Sequence, residues 1–159
     1  MLEKEENVNP DKYALEEPLI FKSIICDIIK NKEILEQLND VKSKYIEEIS
    51  KICNADKEDF NDISNIYVLA QDIYNNIIGF IAVGLNPAVR EVWACHVYTL
   101  PEYRKKGVYR DMMERLKLFT SQIGFKRIVV GVYKVNKPSK RTHLKLGFKP
   151  IIDIMHLDL

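Results

Sequence analysis

The sequence lacks an excess of charge of either sign. Its 24 lysine and arginine residues are balanced by 23 aspartate and glutamate residues, so the formal net charge is +1. A polyanion such as DNA would need a broad basic surface, and this balance gives that class of partner no support. We therefore expect no nucleic-acid partner, and any site for an anion must be local.

Long apolar runs are also missing. The longest run, Ile77 to Leu85, is much shorter than the roughly 20 residues that a membrane-spanning helix needs. The first residues, Met1 to Glu6, lack the basic-then-apolar order of a secretory signal. We therefore expect a cytoplasmic protein without a membrane partner.

Cysteine is scarce, and no Cys-x-x-Cys pair occurs. The odd number of scattered cysteines predicts reduced thiols rather than a disulfide framework: Cys26, Cys53 and Cys95. Cys95 falls in a predicted strand close to the proposed site, where a buried structural thiol is a simpler interpretation than a nucleophile. The three histidines are far apart in the sequence, and no residues have the spacing of metal ligands, so we predict no metal site.

What the sequence does contain is the composition of one globular domain. Its 159 residues are 47% apolar and 30% charged, which suffices for one hydrophobic core. Residues 1–17 are polar and without periodicity, and we predict that they form a flexible tail. Because no linker, repeat or low-complexity tract divides the remainder, residues 18–159 predict a single domain.

Hydrophobic periodicity predicts the secondary structure. The predicted strands are Leu19 to Ile25, Ile66 to Ile73, Ile77 to Leu85, Val89 to Thr99, Ile128 to Val132 and Ile151 to Leu159. The predicted helices are Asn31 to Cys53, Tyr109 to Ile123 and Pro138 to Leu146. The β-branched run from Ile128 is typical of a strand buried on both faces. A meander followed by a strand-helix-strand crossover predicts an α/β (α+β) fold with a mixed, mostly antiparallel sheet of about six to seven strands flanked by helices.

A basic turn joins the fourth predicted strand to the next helix. It reads Arg104-Lys105-Lys106-Gly107-Val108-Tyr109-Arg110. The first amides of a helix have no partner within the helix, and the helix dipole there favours negative charge. Gly107 would let a ligand approach the backbone, so the turn predicts a phosphate or pyrophosphate site. The alternative interpretation is a solvated basic turn.

Two motifs in this half of the chain resemble the GNAT (Gcn5-related N-acetyltransferase) family. Val97 to Gly107 is similar to that family's acetyl-CoA motif, a strand ending in Pro-x-x-Arg and followed by Arg/Gln-x-x-Gly-x-Gly/Ala. The family's Asn-x-x-Ala-x-x-Leu-Tyr-x-Lys-x-Gly-Phe segment is matched in part by Asn136, Ser139, Thr142, His143, Leu146, Gly147 and Phe148. Gly79 matches a glycine common in the family's third strand. The resemblance covers roughly 66–159 and implies a GNAT-like acyl-CoA N-acyltransferase fold, with acetyl-CoA as cosubstrate.

The resemblance also implies roles for individual residues. Backbone groups of Val97, Tyr98 and Thr99 would bind pantetheine, and the turn from Arg104 to Arg110 would hold the pyrophosphate. The residues that the resemblance places in this turn are Arg104, Lys105, Lys106, Gly107, Val108, Tyr109 and Arg110. Asn136 would contact the pantetheine arm, with Ser139 and His143 following beside the cofactor. The amine would enter from the opposite side, under the helix that starts at Asn31.

Two departures from the family pattern affect the predicted chemistry. Tyr109 stands where the family has a small residue, and His143 stands where the family often has a proton-donating tyrosine. A histidine with an ordinary pKa near 6.5 can carry a proton, so His143 is the predicted acid. The candidate bases are Glu91, His96 and Glu102. For all four side chains the alternative is a plain surface or core role.

Three functions remain open at this stage. The first is an enzyme that transfers an acetyl group from acetyl-CoA to a primary amine by direct attack in a ternary complex. The amine would belong to a small molecule or a peptide, and a homodimer is conceivable by analogy with the family. The second is a non-catalytic acyl-CoA-binding or sensing module on the same fold. The third, a nucleotide-binding domain, lacks both a phosphate-binding P-loop and a Gly-x-Gly-x-x-Gly turn.

Overall fold

The structure, a computed structural model, describes residues 18–152 together with Met155 and Leu157. The predicted tail, 1–17, lies outside the described residues. So does most of the last predicted strand, 151–159. Ile151 and Ile152 are described, and they are exposed and belong to no strand.

Five strands form one mixed sheet in the described part of the chain. They are β1 (Phe21–Asp27), β2 (Ile66–Asp72), β3 (Ile77–Asn86), β4 (Glu91–Thr99) and β5 (Arg127–Val130). The sheet has the order β1-β2-β3-β4-β5. The first four strands are antiparallel to their neighbours, and β5 is parallel to β4.

The predicted mixed, mostly antiparallel sheet flanked by helices is confirmed, but the predicted number of strands is wrong. The described residues contain five strands rather than six to seven. An apolar run becomes a strand only when a neighbouring backbone pairs with it, and Ile151 and Ile152 have no such pairing. The prediction that β5 is buried on both faces is also wrong. Ile128 to Val130 are only partly buried, because β5 lies at the edge of the described sheet and pairs with β4 alone.

Helix α1 (Lys32–Cys53) follows from its caps and its apolar stripe. The side chain of Asn31 accepts a hydrogen bond from the Ile34 amide at 3.1 Å, which satisfies one of the free amides of the first turn. Leu38, Val41 and Tyr45 are buried at the three- and four-residue spacing of one helix face. The helix ends at Asn54, which adopts the left-handed conformation with φ 50°.

Two further helices follow β4 and β5. Helix α2 (Val108–Gln122) starts directly after the basic turn and buries Val108, Met112, Met113 and Leu116. Helix α3 (Lys137–Lys145) is capped by Asn136, whose side chain accepts a hydrogen bond from the Ser139 amide at 3.2 Å. Among the described helices, none is long and apolar enough to cross a membrane.

The two long helices pack on opposite faces of the sheet. The α1 face carries Leu38, Tyr45, Phe60, Tyr67 and Phe80 in one buried cluster. The α2 face carries an aliphatic and methionine cluster instead: Val68, Ala70, Ile78, Ile81, Val83, Val92, Ala94, Val108, Met112, Met113 and Leu116. The connections at the carboxyl end of β4 therefore lie between two differently composed layers.

Candidate functional site

Strand β4 parts from β5 half-way along its length. Their pairing runs from Glu91 opposite Arg127 to Ala94 opposite Val130 and ends there, whereas β4 continues to Thr99. A register shift between Ala82 and Val83 of β3 marks a β-bulge next to this point. Beyond the split, β4 has only β3 as a partner among the described strands. The unpaired edge can bind an extended ligand through backbone hydrogen bonds, as an added strand would.

The basic turn contains backbone amides that have no hydrogen-bond partner among the described residues. Lys105 and Gly107 both adopt positive φ angles, 60° and 83°, a region that a residue with a side chain rarely adopts. Asp111 donates to the Gly107 carbonyl at 3.0 Å, as the fourth residue of α2 should. Within the described residues, the amides from Lys105 to Arg110 donate no hydrogen bond. Free amides at a helix N-terminus, with exposed cationic side chains around them, are suited to a phosphate group.

Arg104, the first residue of this turn, points away from it. Its Nε donates to the Thr99 carbonyl at 2.9 Å, and its Nη2 lies 2.8 Å from Glu48 Oε2 in α1. The guanidinium also covers the ring of Tyr98, whose hydroxyl donates to the same Glu48 oxygen at 2.9 Å. The hydrogen bond from Arg104 is the main reason that the pKa of Glu48 lies below its ordinary value. Arg104 is therefore placed to act through its neighbours in the fold.

Tyr109 points towards α3. Its hydroxyl lies 2.7 Å from His143 Nε2, and His143 Nδ1 lies 2.8 Å from the Ser139 carbonyl. A carbonyl only accepts, so Nδ1 carries the proton of the neutral ring and Nε2 accepts from Tyr109. Burial lowers the pKa of His143, which favours this neutral form. Tyr109 is consequently directed at a protein partner, and its amide belongs to the free set of the turn.

His143, the predicted acid, is thus 6% exposed with both ring nitrogens already bonded. The side-chain oxygen of Asn136 is also engaged within the fold, because it accepts the hydrogen bond that caps α3. Its side-chain NH₂ group has no hydrogen-bond partner in the part of the chain that the structure describes. A donor at this position can still contact a ligand that passes between β4 and α3.

The candidate bases Glu91 and His96 lie on different sides of the split in β4. His96 lies just past the split, with Nδ1 2.8 Å from the Tyr45 hydroxyl. Burial lowers the pKa of His96, so its ring is neutral at neutral pH. Glu91 begins the nine-residue strand and pairs with Arg127 at 2.7 Å. At 3.3 Å per residue, Glu91 is roughly 25 Å from Thr99. The structure therefore brings His96 to the split, whereas Glu91 lies in the paired half of β4, at the end far from Thr99.

A cavity of about 560 Å³ opens beside the end of β4 on the α1 face. Its apolar part comes from Ile52, Leu100 and Pro101, and the carboxylates of Glu47, Glu48 and Glu102 lie around it. Lys44 and Lys51 also line the cavity. Glu102, the third candidate base, is exposed at its rim. A carboxylate-bearing cavity of this size can accept a small cationic group.

The interpretation of Cys95 as a buried structural thiol is wrong. The residue is exposed, and it lies beside the β-bulge, which interrupts the regular alternation of inward and outward side chains. Its thiol still packs against Gly84, and partial burial raises the pKa of Cys95. A thiol with a raised pKa stays protonated at neutral pH, so it is a poor nucleophile. All three cysteines are free, and only Cys26 is buried.

Sequence reasoning missed two residues of this region, both on α1. Tyr45 counted only as part of the apolar stripe, although its hydroxyl bonds His96. Glu48 was one of many charged residues between apolar ones, although it holds Arg104. Tyr45 and Glu48 are three residues apart and therefore share one side of the helix. That spacing was the available signal, but nothing local identified their partners about fifty positions away.

The family model described as "Acetyltransferase (GNAT) family" matches residues 32–148, which is more than half of the chain. The chain belongs to the GNAT acetyltransferase family. The match includes the split of β4 from β5, the basic turn and all three helices. The protein is therefore a GNAT N-acetyltransferase, and the resemblance seen in the sequence is confirmed.

Similar proteins agree with the GNAT assignment. A Bacillus subtilis (strain 168) protein named "SPbeta prophage-derived uncharacterized N-acetyltransferase YokL" is 26% identical over 147 residues, covering 90% of this chain and 76% of its own. The aminoglycoside acetyltransferase HMB0005 from an uncultured soil metagenomic sample has a TM-score of 0.69 at 15% identity, covering 89% of this chain and 98% of its own. Aminoglycoside N-acetyltransferase AAC(6')-Iy in complex with CoA has a TM-score of 0.65 at 16% identity, covering 88% of this chain and 98% of its own. These two structures establish the shared fold.

The GNAT family implies acetyl-CoA as cosubstrate. The residues present fit such a ligand, because the free edge of β4 suits its extended amide arm and the amides after Arg104 suit its phosphates. No group of three histidine, cysteine, aspartate or glutamate side chains in the described ranges is placed to hold a metal ion.

Proposed function

We propose that this GNAT protein transfers an acetyl group from acetyl-CoA to a primary amine by direct attack in a ternary complex. The observation that carries the proposal is the split of β4 from β5 directly beside a turn of free amides. One extended molecule with an amide arm and a pyrophosphate group matches both features at once.

Cofactor binding relies mainly on the backbone. The edge from Val97 to Thr99 bonds the pantetheine arm, and the amides from Lys105 to Arg110 bond the pyrophosphate. Lys105, Lys106 and Arg110 add positive charge around these amides. The Asn136 side-chain NH₂ group and the first turn of α3, at Ser139, face the same arm in this arrangement.

The chemical step requires no protein nucleophile. The neutral amine attacks the thioester carbonyl, and a backbone amide near Val97 stabilises the negative charge on the carbonyl oxygen. The carbon–sulfur bond then breaks, and the CoA thiolate takes up a proton. His96, through a water molecule, accepts the proton that the amine nitrogen loses, and releases it to solvent.

His96 suits the role of base by geometry. With the proton on Nδ1, its ring donates to the Tyr45 oxygen and presents the Nε2 lone pair. Nε2 has no hydrogen-bond partner among the described residues. Glu91 has no part in this proposal, because it pairs with Arg127 in the paired half of β4, far from Thr99. His143 remains a candidate acid, and its two existing hydrogen bonds favour a role in holding Tyr109 and α3 together.

The acceptor binds on the α1 face in this proposal. The cavity beside Tyr98 and Leu100 has the size for a small molecule or the end of a peptide. The carboxylates of Glu47 and Glu48 are already paired with cationic side chains, so that of Glu102 is the one proposed to attract a cationic amine. Two of the solved relatives are named aminoglycoside acetyltransferases, and they illustrate one class of polyamine acceptor.

The alternative of a non-catalytic acyl-CoA-binding module makes a different prediction. It predicts binding of CoA without turnover of any amine. The two departures that motivate it are Tyr109 in the basic turn and His143 in place of the family's tyrosine, and these two side chains are bonded to each other in the structure. Turnover with an amine panel separates the two functions.

The first experiment is the melting temperature of the protein with acetyl-CoA, CoA, ATP and NAD at matched concentrations. A ligand that binds only the folded state stabilises it by about 2.7 kcal/mol at a hundred times its dissociation constant. We expect a rise with both CoA species alone, followed by amine-dependent thiol release. Absence of any rise with either CoA species would overturn the proposal.

A further inference from the structure

One side chain of the phosphate turn reaches the opposite face of the sheet. Arg104 precedes α2, which packs on one face, yet its Nη2 lies 2.8 Å from Glu48 in α1, on the other face. Its Nε donates to the last carbonyl of β4, that of Thr99, at 2.9 Å. Its guanidinium lies 5.3 Å from the centre of the Tyr98 ring. Arg104 thus joins the turn, the end of β4 and α1.

The carboxylate of Glu48 is the centre of this group, which we name the Glu48 clamp: Glu48, Tyr98, Thr99 and Arg104. One oxygen, Oε2, accepts from both the Arg104 guanidinium and the Tyr98 hydroxyl. The side chains of Arg104 and Glu48 are 40% and 32% exposed, so water screens them only in part. Charge-assisted hydrogen bonds in such a setting are stronger than those of a fully exposed pair.

The neighbouring glutamate has a different environment. Glu47 pairs with Lys51 one helical turn away, and these side chains are 59% and 73% exposed. This pair involves α1 alone. Glu47 therefore provides a matched comparison, since it differs from Glu48 in its partners but not in its chemistry.

The clamp touches both proposed binding regions. Glu48 and Tyr98 line the 560 Å³ cavity on the α1 face, and Arg104 starts the turn that presents free amides. That turn contains positive φ angles at Lys105 and Gly107, a conformation that needs support from its surroundings. Free amides bind an anion tightly only when they are aligned beforehand, because ordering them at the moment of binding costs affinity.

We infer that Glu48 is a positioning residue for the cofactor: through Arg104 it holds the phosphate turn in its binding conformation. The inference rests on the proposed function, in which the turn binds the pyrophosphate of acetyl-CoA. It assigns Arg104 a role through Glu48 and Thr99, beyond that of a positive charge near a phosphate. It also makes the wall of the acceptor cavity part of the support for the cofactor site.

The test compares Glu48→Gln with Glu47→Gln in the full chain. We measure the dissociation constant for CoA by calorimetry and the KM for acetyl-CoA and kcat with an amine that the wild type acetylates. Glu48→Gln should weaken both cofactor constants about tenfold, which corresponds to 1.4 kcal/mol, with kcat at saturating acetyl-CoA changed less than about twofold. Glu47→Gln should leave the dissociation constant for CoA at the wild-type value, because among the described residues Glu47 pairs with Lys51 and not with Arg104 or the end of β4. If Glu48→Gln binds CoA as tightly as the wild type does, the inference is wrong.

A second variant tests whether Arg104 acts through its hydrogen bonds in the clamp or only through its positive charge. Arg104→Lys keeps the positive charge but cannot reach Glu48 and Thr99 at once, because lysine lacks the planar fork of donors. We expect Arg104→Lys to lose the same cofactor affinity as Glu48→Gln, and the double variant to lose no more than either single one. Full affinity in Arg104→Lys, or additive losses in the double variant, would show that the two residues act separately.

Two controls keep the outcomes distinct. If wild-type protein binds neither CoA species, the proposed function fails and the inference fails with it. If the wild type binds and both variants bind equally well, only the inference fails. The melting temperature without ligand reports whether each variant is folded. Should Glu48→Gln not fold, Tyr98→Phe, which removes only one hydrogen bond to Glu48, takes its place with a smaller loss expected.

Discussion

The two faces of the sheet each carry a tyrosine hydroxyl bonded to a histidine ring. On the α1 face, Tyr45 lies 2.8 Å from His96, and on the α2 face, Tyr109 lies 2.7 Å from His143. Burial lowers the pKa of both histidines. The rings differ in their second nitrogen. That of His143 is bonded to the Ser139 carbonyl, whereas that of His96 has no partner among the described residues.

The surroundings of the two pairs explain this difference. The α1 face also contains Tyr67, Asp62 and Lys42, whose polar groups are bonded to one another. The α2 face is aliphatic and methionine-rich, and there the Tyr109–His143 pair joins α2 to α3. The α2 face thus provides packing and lies beside the turn proposed to bind the cofactor, whereas the α1 face carries the polar groups that the proposal assigns to chemistry. The predictions below test that division.

The largest effect is expected from the apolar core of the α2 face. Leu116 is fully buried in α2, so Leu116→Ala should lower the free energy of unfolding by about 3 kcal/mol. No titratable group is involved, and the loss should be the same at pH 7 and pH 4 in urea unfolding. Leu118→Ala, at a position 50% exposed in the same helix, is the control. It should change the free energy by less than about 0.5 kcal/mol. Equal losses in the two variants would contradict the assigned core.

The polar network of the α1 face should show a strong dependence on pH. Burial alone would raise the pKa of Asp62, but hydrogen bonds from Tyr67 and Ser64, with the charge of Lys42, hold it below its ordinary value. A lowered pKa stabilises the fold above the ordinary carboxyl pKa, and this stabilisation is lost as the pH falls through the lowered value. Asp62→Asn should therefore cost about 2 kcal/mol at pH 7 and progressively less as the pH falls through the lowered pKa of Asp62.

Urea unfolding from pH 7 down through that lowered pKa measures the difference for Asp62→Asn. The control is Asp40→Asn, because Asp40 pairs with Lys44 on the exposed side of α1, the helix that carries Lys42. A cost for Asp62→Asn that stays constant over this pH range would show that the carboxylate charge does not stabilise this face.

Two glycines share a left-handed backbone conformation, so substituting each of them distinguishes the cost of backbone strain from an effect on CoA binding. Gly107 and Gly124 have φ angles of 83° and 74°, and an added Cβ would meet nothing within 4 Å at either. Gly107→Ala and Gly124→Ala should each cost about 1.5 kcal/mol of stability, the penalty of a left-handed residue with a side chain. Only Gly107→Ala should weaken CoA binding, measured by calorimetry. Equal CoA affinities in the two variants would place the phosphates elsewhere.

The smallest effect on stability should come from the two tyrosine hydroxyls. Tyr45→Phe and Tyr109→Phe each remove one hydrogen bond to a histidine and should each cost about 1 kcal/mol. Their kinetics should differ, since Tyr45 orients the proposed base. We expect Tyr45→Phe to lower kcat about tenfold without changing the KM for acetyl-CoA. If Tyr109→Phe lowers kcat as much and Tyr45→Phe does not, the chemical roles of the two faces are exchanged.

Elements with strong local signals were predicted well from the sequence. Helix α1 was expected from Asn31 to Cys53 and runs from Lys32 to Cys53, because the cap at Asn31 and the apolar stripe are both local features. The strand ends and the partial exposure of β5 were not predicted. Both depend on which backbone lies alongside, and a single segment of sequence carries no information on its neighbours.

The candidate site also combines features that are local in the sequence with contacts that depend on distant segments. The motif around Arg104 and Gly107 was visible because its residues are consecutive, and helix N-termini bind anions for reasons of local geometry. The sequence by itself thus determined the element order, the basic turn and the family resemblance. Only the tertiary structure decided that Arg104 turns to Glu48, 56 positions away, that the Tyr45 hydroxyl bonds His96, and that Glu91 pairs with Arg127. These are contacts between distant segments, set by how the layers pack, and the pattern within any one segment does not encode them.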